Sequence, residues 1–507
     1  MQEWEKLLYS LLSVAGYIVL CVCCYRHYLR HHPKTTFGQA ELVDNGVIVA
    51  YASQSGNALR LAEAACGGLD SNASLLPLNR VNNKTLSGAS RALFVVSTYG
   101  DGEAPDNGVR FEKQLLKQIK PTDLAHLEYA VLALGDSHYP DFCAFGRRLD
   151  SGLKKLGARS LFERLELDSS QDPDFKAAQM WLQQATGNNA DRFEVSQALT
   201  EKFQPWTLLE RQTLNPKSAS EALIRLRFSA LNPEQLNWQA GDIAELVPRN
   251  SVDICRAFLA TINTVDGKPL SDPELVALLQ DRKLLDAGGE LFSTSLQLRQ
   301  WIQTLPLHNK REYSIASIPT DGVLELLMRQ RCDEAGKLGL ASAWLSQGLG
   351  IGQQQWLRLR PNPLFNSPPN TKPLILIGSG SGLAGLWGHL QARRQHGITR
   401  NWLIFGERSP VTDRIYQQQI AELQRDGFLP RLDLVFSRGS ERPSYVQHRL
   451  LESAAVLQEW LADGATVMVC GSRLGMGEGV DDALRQVMGE DAVDRLADQG
   501  RYLRDVY

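Results

Sequence analysis

The sequence predicts two α/β domains with parallel sheets, separated by an antiparallel β-barrel and preceded by one N-terminal transmembrane helix. Three observations lead to this prediction. A buried strand, a small polar loop and a helix follow one another at 47–69, and a similar strand, glycine-rich turn and helix recur at 374–385. Between them, short β-type segments are broken by turn residues. The length of 507 residues suits about three domains of ordinary size.

The composition excludes some classes of protein. The formal net charge of -3 gives no overall basic field that would attract nucleic acid. Three of the eight cysteines lie in an apolar run near the N-terminus. A disulfide scaffold or a zinc ribbon is therefore not indicated, and a reducing compartment fits better.

The N-terminal segment is predicted to span a membrane. Leu7–Tyr25 contains no charged residue, and its length just crosses about 30 Å of hydrocarbon. The basic segment Arg26–Lys34 follows at once, which by the positive-inside rule keeps the remaining chain in the cytoplasm. We therefore expect residues 1–40 to anchor the protein in the inner membrane; a buried or peripheral helix is the alternative.

The loop after the first strand has the composition of a phosphate site. Ser53, Ser55 and Asn57 supply hydroxyl and amide groups, and Gly56 lets backbone N–H groups approach an anion. The start of the following helix adds the positive end of its dipole. The loop matches neither the dinucleotide nor the Walker glycine motif. An ordinary tight turn in an α/β sheet is the alternative.

From Val47 to about Thr186 the chain alternates apolar strands with helical patterns, which predicts a parallel sheet covered by helices. Ligands bind such sheets at the carboxyl ends of the strands. Tyr99 and Tyr139 each follow a strand of this sheet. Two aromatic faces beside a phosphate loop would suit a flat tricyclic ring, whereas exposed loop tyrosines are the alternative.

The loops at 53–58, 98–107 and 134–143 resemble the FMN-binding loops of the diflavin reductases, the family of cytochrome reductases and the sulfite reductase flavoprotein subunit. The resemblance implies a flavodoxin-like FMN domain at 41–190, with Tyr99 and Tyr139 flanking the isoalloxazine ring. The residues that it places on the FMN phosphate are Ser53, Gln54, Ser55, Gly56, Asn57 and Ala58. Those that it places around the rest of the pocket are Ser97, Thr98, Gly100, Asp101, Gly102, Leu134, Gly135, Asp136, Phe142, Cys143 and Asp168.

The same region carries an acidic surplus. Residues 41–195 contain 20 acidic and 16 basic side chains by count. Eight of the acids fall in or near the rim loops, namely Asp101, Glu103, Asp106, Asp136, Asp141, Asp168, Asp172 and Asp174. An acidic rim would steer a basic acceptor protein, mainly through the association rate. A solvated surface is the alternative, and the resemblance implies an acceptor that contains haem or metal.

The middle of the chain reads as a barrel with a short helical insertion, and we expect it at 191–370. The segments 207–214, 222–228 and 243–247 have β-type patterns, and 253–305 is richer in helix formers. The stretch Arg311–Ser314 and the turn Gly339–Ser342 resemble elements of the ferredoxin-reductase-like FAD module. The resemblance implies that Arg311 and the turn with Gly339, Leu340, Ala341 and Ser342 hold the FAD pyrophosphate. It implies that Tyr313 and Ser314 contact the flavin.

The C-terminal region, 371–507, resembles the NADP-binding domain of the same family. Apolar strands at 374–377, 403–405, 432–436 and 466–470 predict a second parallel sheet. The resemblance places the nucleotide on Gly380, Ser381, Ser437, Arg438, Tyr445 and Gln447. Ser437 and Arg438 would bind the 2′-phosphate that distinguishes NADPH from NADH. Gly385, Ser472 and Pro443 depart from the usual family residues, so we expect weaker NADPH binding.

The resemblance also implies a catalytic cluster and a reaction. Ser314, Cys470 and Asp505 match the family's trio at the flavin N5 atom, and Tyr507 would stack on FAD. The implied enzyme is an NADPH-dependent diflavin oxidoreductase that passes electrons from NADPH through FAD and FMN to a haem protein, without a metal site. A ferric or quinone reductase and a non-catalytic flavin electron carrier remain as alternatives.

Overall fold

Apolar runs of sequence form the centre of each of three sheets. The structure is a computed structural model. This structure describes residues 46–53, 56–69, 73–98, 102–117, 124–137, 140–168, 175–187, 203–262, 273–285, 292–366, 371–438 and 444–507. All of them belong to one compact unit.

The first sheet is parallel and has the strand order β2-β1-β3-β4-β5, with β6 also paired to β4. Its strands are β1 (Gly46–Ala52), β2 (Ala73–Pro77), β3 (Ala89–Ser97), β4 (Glu128–Gly135), β5 (Arg159–Ser160) and β6 (Leu165–Asp168). The helices around it are α1 (Asn57–Gly67), α2 (Asn83–Ser87), α3 (Asp106–Lys117), α4 (Ala144–Lys155) and α5 (Phe175–Thr186). Because helices cover both faces, β1, β3 and β4 are buried along almost their whole length.

The second sheet is antiparallel, with the order β10-β9-β12-β7-β8-β11. Its strands are β7 (Gln204–Thr213), β8 (Leu223–Ala230), β9 (Ile243–Leu246), β10 (Arg311–Ser314), β11 (Leu324–Arg329) and β12 (Gln354–Arg360). A bridge between Ile315 and Leu326 links the two ends of the order. Trp206, Leu226 and Phe228 lie in its core.

A helical module is inserted between β9 and β10. Its helices are α6 (Val252–Thr261), α7 (Pro273–Gln280) and α8 (Ser295–Thr304). The module has a small core of its own, which includes Cys255, Leu259, Leu279 and Ile302. The helix formers noted at 253–305 therefore lie in a helical module with its own core.

The third sheet is parallel and has the order β15-β14-β13-β16-β17. Its strands are β13 (Leu374–Ser379), β14 (Asn401–Glu407), β15 (Arg431–Phe436), β16 (Thr466–Gly471) and β17 (Tyr502–Val506). Helix α9 (Leu340–Ala343) lies between β11 and β12 of the second sheet. The helices around the third sheet are α10 (Leu383–Gln395), α11 (Gln417–Arg425), α12 (Val446–Glu452), α13 (Ala454–Ala462), α14 (Glu478–Met488) and α15 (Glu490–Asp498).

Several local predictions differ from the structure. Strands β2 and β17 are absent from the sequence prediction, because each is short and only partly buried. The stretch 323–330 contains the single strand β11, which pairs with β8. Helix α9 is one turn long and is followed by a π-helical turn, Trp344–Gly348.

The predicted inner-membrane localisation is corrected by the structure. In the part of the chain that the structure describes, no helix is both long and apolar enough to cross a bilayer. The longest described α-helix, α10, has 13 residues and rises about 20 Å, well short of about 30 Å of hydrocarbon. The segment Leu7–Tyr25, on which the prediction depends, lies outside the described residues.

Candidate functional site

A cavity of about 650 Å³ opens at the carboxyl edge of the first sheet. Its lining from that sheet consists of predicted FMN residues, namely Asn57, Ser97, Thr98, Leu134, Gly135 and Asp136. The parallel strands β1, β3 and β4 end side by side, which brings these residues together although up to 79 positions separate them in sequence. A ligand at this edge would meet hydroxyl and amide groups as well as the N-terminus of α1.

Other predicted FMN residues support this edge without lining the cavity. The Ser53 hydroxyl accepts a hydrogen bond from the Gly56 backbone N–H at 2.9 Å, which closes the turn before α1. Gly56 adopts the left-handed φ of 83°, a conformation that glycine reaches without strain. Asp168 accepts a hydrogen bond from the Ser137 backbone at 3.2 Å.

Gly135 is a glycine because the next loop packs onto it. A Cβ at this position would lie 2.7 Å from the Cys143 nitrogen and 2.8 Å from a ring carbon of Phe142. The Cys143 thiol is buried, and its burial raises its pKa to about 12. Ala58 packs in the core, and Gly102 packs closely against Asp141. These two predicted residues therefore help to determine the conformation of the loops.

Six predicted FMN residues cannot be placed. Gln54, Ser55, Tyr99, Gly100, Asp101 and Tyr139 lie outside the described residues. The predicted sandwich of the isoalloxazine ring between two tyrosines therefore stays a prediction.

The second and third sheets form the other wall of the same cavity. Its lining there includes all of the predicted FAD residues, namely Arg311, Tyr313, Ser314, Gly339, Leu340, Ala341 and Ser342. The Ser342 hydroxyl accepts a hydrogen bond from the Arg331 backbone N–H at 2.8 Å, and the Gly339 N–H donates to the Arg331 carbonyl at 2.9 Å. These two bonds tie the turn to the end of β11.

Ser314 and Asp505 line this cavity, and the fully buried Cys470 contacts Asp505. The Ser314 hydroxyl donates to Asp505 Oδ2 at 2.8 Å, and the Cys470 thiol donates to the same oxygen at 3.7 Å. The contact follows from sheet register, because β16 and β17 pair in parallel with Cys470 opposite Asp505. Burial raises the pKa of both Cys470 and Asp505, and the Asp505 charge raises that of Cys470 further. The thiol is therefore protonated and acts as a donor.

Tyr507 lies where the first cavity meets a second cavity of about 480 Å³. Its hydroxyl is 2.9 Å from Ser381 Oγ, and its backbone N–H donates to the Gly471 carbonyl at 3.0 Å. The side chain is 57% exposed. An aromatic ring that is hydrogen-bonded at its edge and open on one face is able to cover a ligand and to swing away from it.

The second cavity collects most of the predicted nucleotide residues. Gly380, Ser381, Ser437, Tyr445 and Gln447 line it. Arg438 is exposed at the end of β15 and is not among the lining residues. Its backbone N–H donates to the Arg408 carbonyl at 2.7 Å, and Arg408 does line the cavity.

The sequence analysis misses two arginines that line both cavities, Arg329 and Arg331. Arg329 donates to Glu407 at 2.6 Å, and both side chains are nearly buried. Burial raises the pKa of Glu407, and the Arg329 charge opposes this shift. The sequence does contain a signal for these arginines. They stand two residues apart at the end of a strand, so both side chains lie on the same face.

The residues present fit two flavins and a dinucleotide. The two cavities have volumes typical of cofactor sites. Phosphate groups would find cations at Arg311, Arg331 and Arg408, and the turns at Gly56 and Gly339 offer backbone N–H groups. The Ser314 hydroxyl, which donates to Asp505, presents a neutral acceptor oxygen at the cavity wall.

Comparison with known proteins agrees with this geometry. Residues 49–181 match the family model described as Flavodoxin. The chain is 31% identical to the sulfite reductase (NADPH) flavoprotein alpha-component of Vibrio cholerae, over 94% of this chain and 90% of that protein. It is 30% identical to that of Mannheimia succiniciproducens, over 91% and 90%.

The chain belongs to the sulfite reductase (NADPH) flavoprotein family. A Bacillus subtilis member is 29% identical, over 92% of this chain and 90% of the relative. The predicted diflavin reductase family is thereby confirmed, as are an NADPH-dependent oxidoreductase activity toward a haem protein and the use of FMN, FAD and NADPH.

Proposed function

We propose that this flavoprotein delivers electrons from NADPH to the haem-containing partner of a sulfite reductase. When bound, FAD would supply hydride-accepting chemistry for NADPH, and FMN would supply one-electron transfer to the acceptor. The observation that supports this most is the cluster of Ser314, Cys470 and Asp505 beside a cavity that adjoins the nucleotide cavity at Tyr507. The proposed domains are 41–190 for FMN, 191–370 for FAD and 371–507 for NADPH.

Ser314 and Cys470 would orient the reacting face of the flavin. Both donate to one carboxylate oxygen of Asp505, so neither side chain rotates freely. The Ser314 oxygen can still accept a hydrogen bond, and a group held in place in this way does not have to reorganise when charge develops beside it. Tyr507 would cover the flavin until the nicotinamide arrives, and its bond to Ser381 marks the resting position of the ring.

The acceptor would dock at the acidic rim of the FMN edge. Asp136 lines the first cavity, and Asp141 is exposed beside it. Glu103 forms an ion pair with Arg473 of the C-terminal region, so it is engaged within the chain. Asp136 and Asp141 are therefore the described rim carboxylates that best suit a basic partner.

The test compares the rates at which the holoenzyme, supplied with NADPH, reduces three acceptors: a sulfite reductase haem subunit, cytochrome c and a ferric chelate. We expect rapid reduction of a sulfite reductase haem subunit and of cytochrome c, with a rate that falls as salt increases. The double variant Asp136→Asn, Asp141→Asn should lower the association rate about tenfold at low salt. Glu163→Gln, an exposed acid in the same region but outside the rim, should not.

Two outcomes would contradict the proposal. Fast reduction of a ferric chelate with both haem proteins unreduced would favour a ferric reductase. An equal effect of Glu163→Gln and of the rim variant would show that the rim has no special role in docking.

A further inference from the structure

An ion pair at the edge of the second cavity has no assigned role. It joins Arg408, at the end of β14, to Glu221, just before β8, with 2.5 Å between Arg408 Nη1 and Glu221 Oε2. Arg408 lines the cavity, whereas Glu221 does not. The two side chains are 33% and 36% exposed. An anion that enters the cavity would therefore meet an arginine that a carboxylate already holds.

Backbone contacts fix the position of Glu221. Its carbonyl oxygen accepts hydrogen bonds from Asn215 Nδ2 at 3.3 Å and from Arg329 Nη1 at 3.1 Å. Burial raises the pKa of the Glu221 carboxyl, but a backbone hydrogen bond and the Arg408 guanidinium outweigh this effect and hold the pKa below its usual value. Glu221 is therefore ionised at neutral pH and competes with any other anion for Arg408.

Strand pairing places Arg408 beside Ser437. Strands β14 and β15 pair in parallel with Glu407 opposite Phe436, so Arg408 and Ser437 are the next residues at the two carboxyl ends. The Arg438 backbone N–H donates to the Arg408 carbonyl at 2.7 Å. Ser437 lines the second cavity together with Arg408, whereas Arg438 does not. Arg408 is therefore the arginine that the cavity wall presents beside Ser437.

The charges of the cavity wall single out Arg408. The described lining of the second cavity contains three arginines and one carboxylate, Glu407. Arg329 donates to Glu407 at 2.6 Å. Arg329 and Arg331 also line the first cavity, but Arg408 does not. Arg408 thus supplies positive charge at the end of the second cavity that is farther from the flavin cavity.

The order of the strands indicates which part of a dinucleotide would reach Arg408. The glycine turn at Gly380 follows β13, and Ser381 in this turn lies 2.9 Å from the Tyr507 hydroxyl, where the two cavities meet. Strand β14 lies beside β13, and β15 lies beside β14. In such sheets the pyrophosphate binds at the glycine turn and the adenosine ribose at the end of the neighbouring strand. A phosphate on that ribose would therefore meet Arg408 and Ser437.

We propose that Arg408 binds the 2′-phosphate of NADPH, and that Glu221 tunes the selectivity for NADPH by competing with this phosphate for the same guanidinium. This inference rests on the proposed function, because it takes the second cavity as the NADPH site. A half-exposed ion pair contributes little to stability, so a ligand is able to replace it. A phosphate monoester carries about 1.5 to 2 negative charges at neutral pH and accepts two parallel hydrogen bonds from a guanidinium. NADH lacks this phosphate and would leave the ion pair in place.

The experiment measures the binding of two probes to the holoenzyme by isothermal titration calorimetry. The probes are adenosine 2′,5′-bisphosphate and adenosine 5′-monophosphate, which differ only in the 2′-phosphate. Arg408→Gln should weaken binding of the bisphosphate at least about tenfold and leave that of the monophosphate unchanged. Arg408→Lys keeps the charge and should restore part of the loss. Arg414→Gln, the matched control, removes an exposed arginine that lines neither cavity and should change neither affinity.

The variant Glu221→Gln should have the opposite effect. Loss of the competing carboxylate should tighten binding of the bisphosphate about threefold, without an effect on the monophosphate. A purely structural role of the ion pair would not tighten binding. Because Glu221 lies outside the cavity wall, this variant tests the inference even if Arg408→Gln does not fold.

Steady-state kinetics provide a second readout. In Arg408→Gln the KM for NADPH should rise about tenfold, whereas the KM for NADH and both kcat values should be unchanged, because the substituted group contacts only the 2′-phosphate. In Glu221→Gln the ratio of kcat/KM for NADPH to that for NADH should increase about threefold.

Unchanged affinity for the bisphosphate in Arg408→Gln, or unchanged or weaker affinity in Glu221→Gln, would overturn the inference. A greater loss in Arg438→Gln than in Arg408→Gln would also overturn it, because it would assign the phosphate to Arg438. A wild-type holoenzyme that binds the bisphosphate but reduces no haem protein would instead overturn the proposed function. The two failures are distinguishable because binding of the probes requires no electron transfer.

Discussion

The two strand–glycine–helix units of the chain look alike in sequence but use glycine for opposite reasons. At Gly56 the backbone has φ 83°, and an added Cβ would meet nothing closer than 3.6 Å. At Gly382 the backbone is helical, with φ -60°, yet an added Cβ would lie 2.1 Å from the Cys470 carbonyl oxygen. The turn at Gly56 requires a left-handed backbone conformation and leaves space around the residue. The turn at Gly382 instead has no room for a side chain.

This difference in packing indicates what each turn accommodates, a ligand at Gly56 and a neighbouring strand at Gly382. Space beside Gly56 lets an anion approach the N-terminus of α1. Close packing at Gly378 and Gly382 instead presses the second turn against the end of β16. Gly385, one turn further along, would place a Cβ 2.9 Å from Cys470 Sγ and 3.4 Å from Ser314 Cβ. The second unit thus fixes the catalytic cluster as well as a nucleotide.

The largest effect is expected for Gly382→Ala. Its Cβ would collide with backbone, which cannot yield as a flexible side chain does, so the unfolding free energy of the third-sheet region should fall by about 3 kcal/mol. Urea denaturation monitored by circular dichroism measures this. Gly397→Ala is the control, because Gly397 has φ 68° and nothing within 4 Å. An equal loss in both variants would contradict the packing role.

A smaller and more selective effect is expected for Gly56→Ala. A left-handed conformation costs a residue other than glycine about 1 to 2 kcal/mol, so FMN affinity should fall about tenfold while FAD is retained. Quantifying both flavins released from the purified protein checks this. Gly322→Ala, with φ 69° in open space in the second-sheet region, should not affect FMN. Parallel loss of both flavins would refute the assignment of this turn to FMN.

The smallest effect on stability, about 1 kcal/mol, is expected for Gly385→Ala. Its new methyl group should displace the Cys470 thiol by a few tenths of an ångström and slow flavin reduction by NADPH several-fold. The control is Gly388→Ala. Gly388 lies on the same helix, but its added Cβ would lie 3.1 Å from the Ile315 carbonyl oxygen and not beside the catalytic cluster. Rapid-mixing kinetics of the two variants should therefore differ. Equal rates would argue that Gly385 does not set the position of the thiol.

Local sequence patterns predict the three sheets and the loops at their edges. The apolar runs at 47–51 and 374–377 become β1 and β13, because a strand buried on both faces must be apolar throughout. The meeting of Ser314, Cys470 and Asp505 could be expected only from family resemblance. It depends on β17, whose five residues carry no strand pattern of their own and gain their place by pairing with β16.

Buried charges are the part of the site that sequence reasoning misses. Arg331, Arg358 and Arg360 look alike in sequence, yet the first is exposed and the last is almost fully buried. Long-range pairing of strands decides their environment, and a single sequence does not reveal that pairing. Glu245 is equally inconspicuous, although it organises three cations.

The position of Asp505 near the end of the given sequence affects when the catalytic cluster can form during synthesis. The hydrogen bond from Ser314 to Asp505 joins residues that are 191 positions apart. The strand pairings of the first sheet all lie within residues 46–168, so this sheet can pair during synthesis before the hydride site exists. Nascent or prematurely terminated chains thus lack the cluster that we assign to NADPH oxidation.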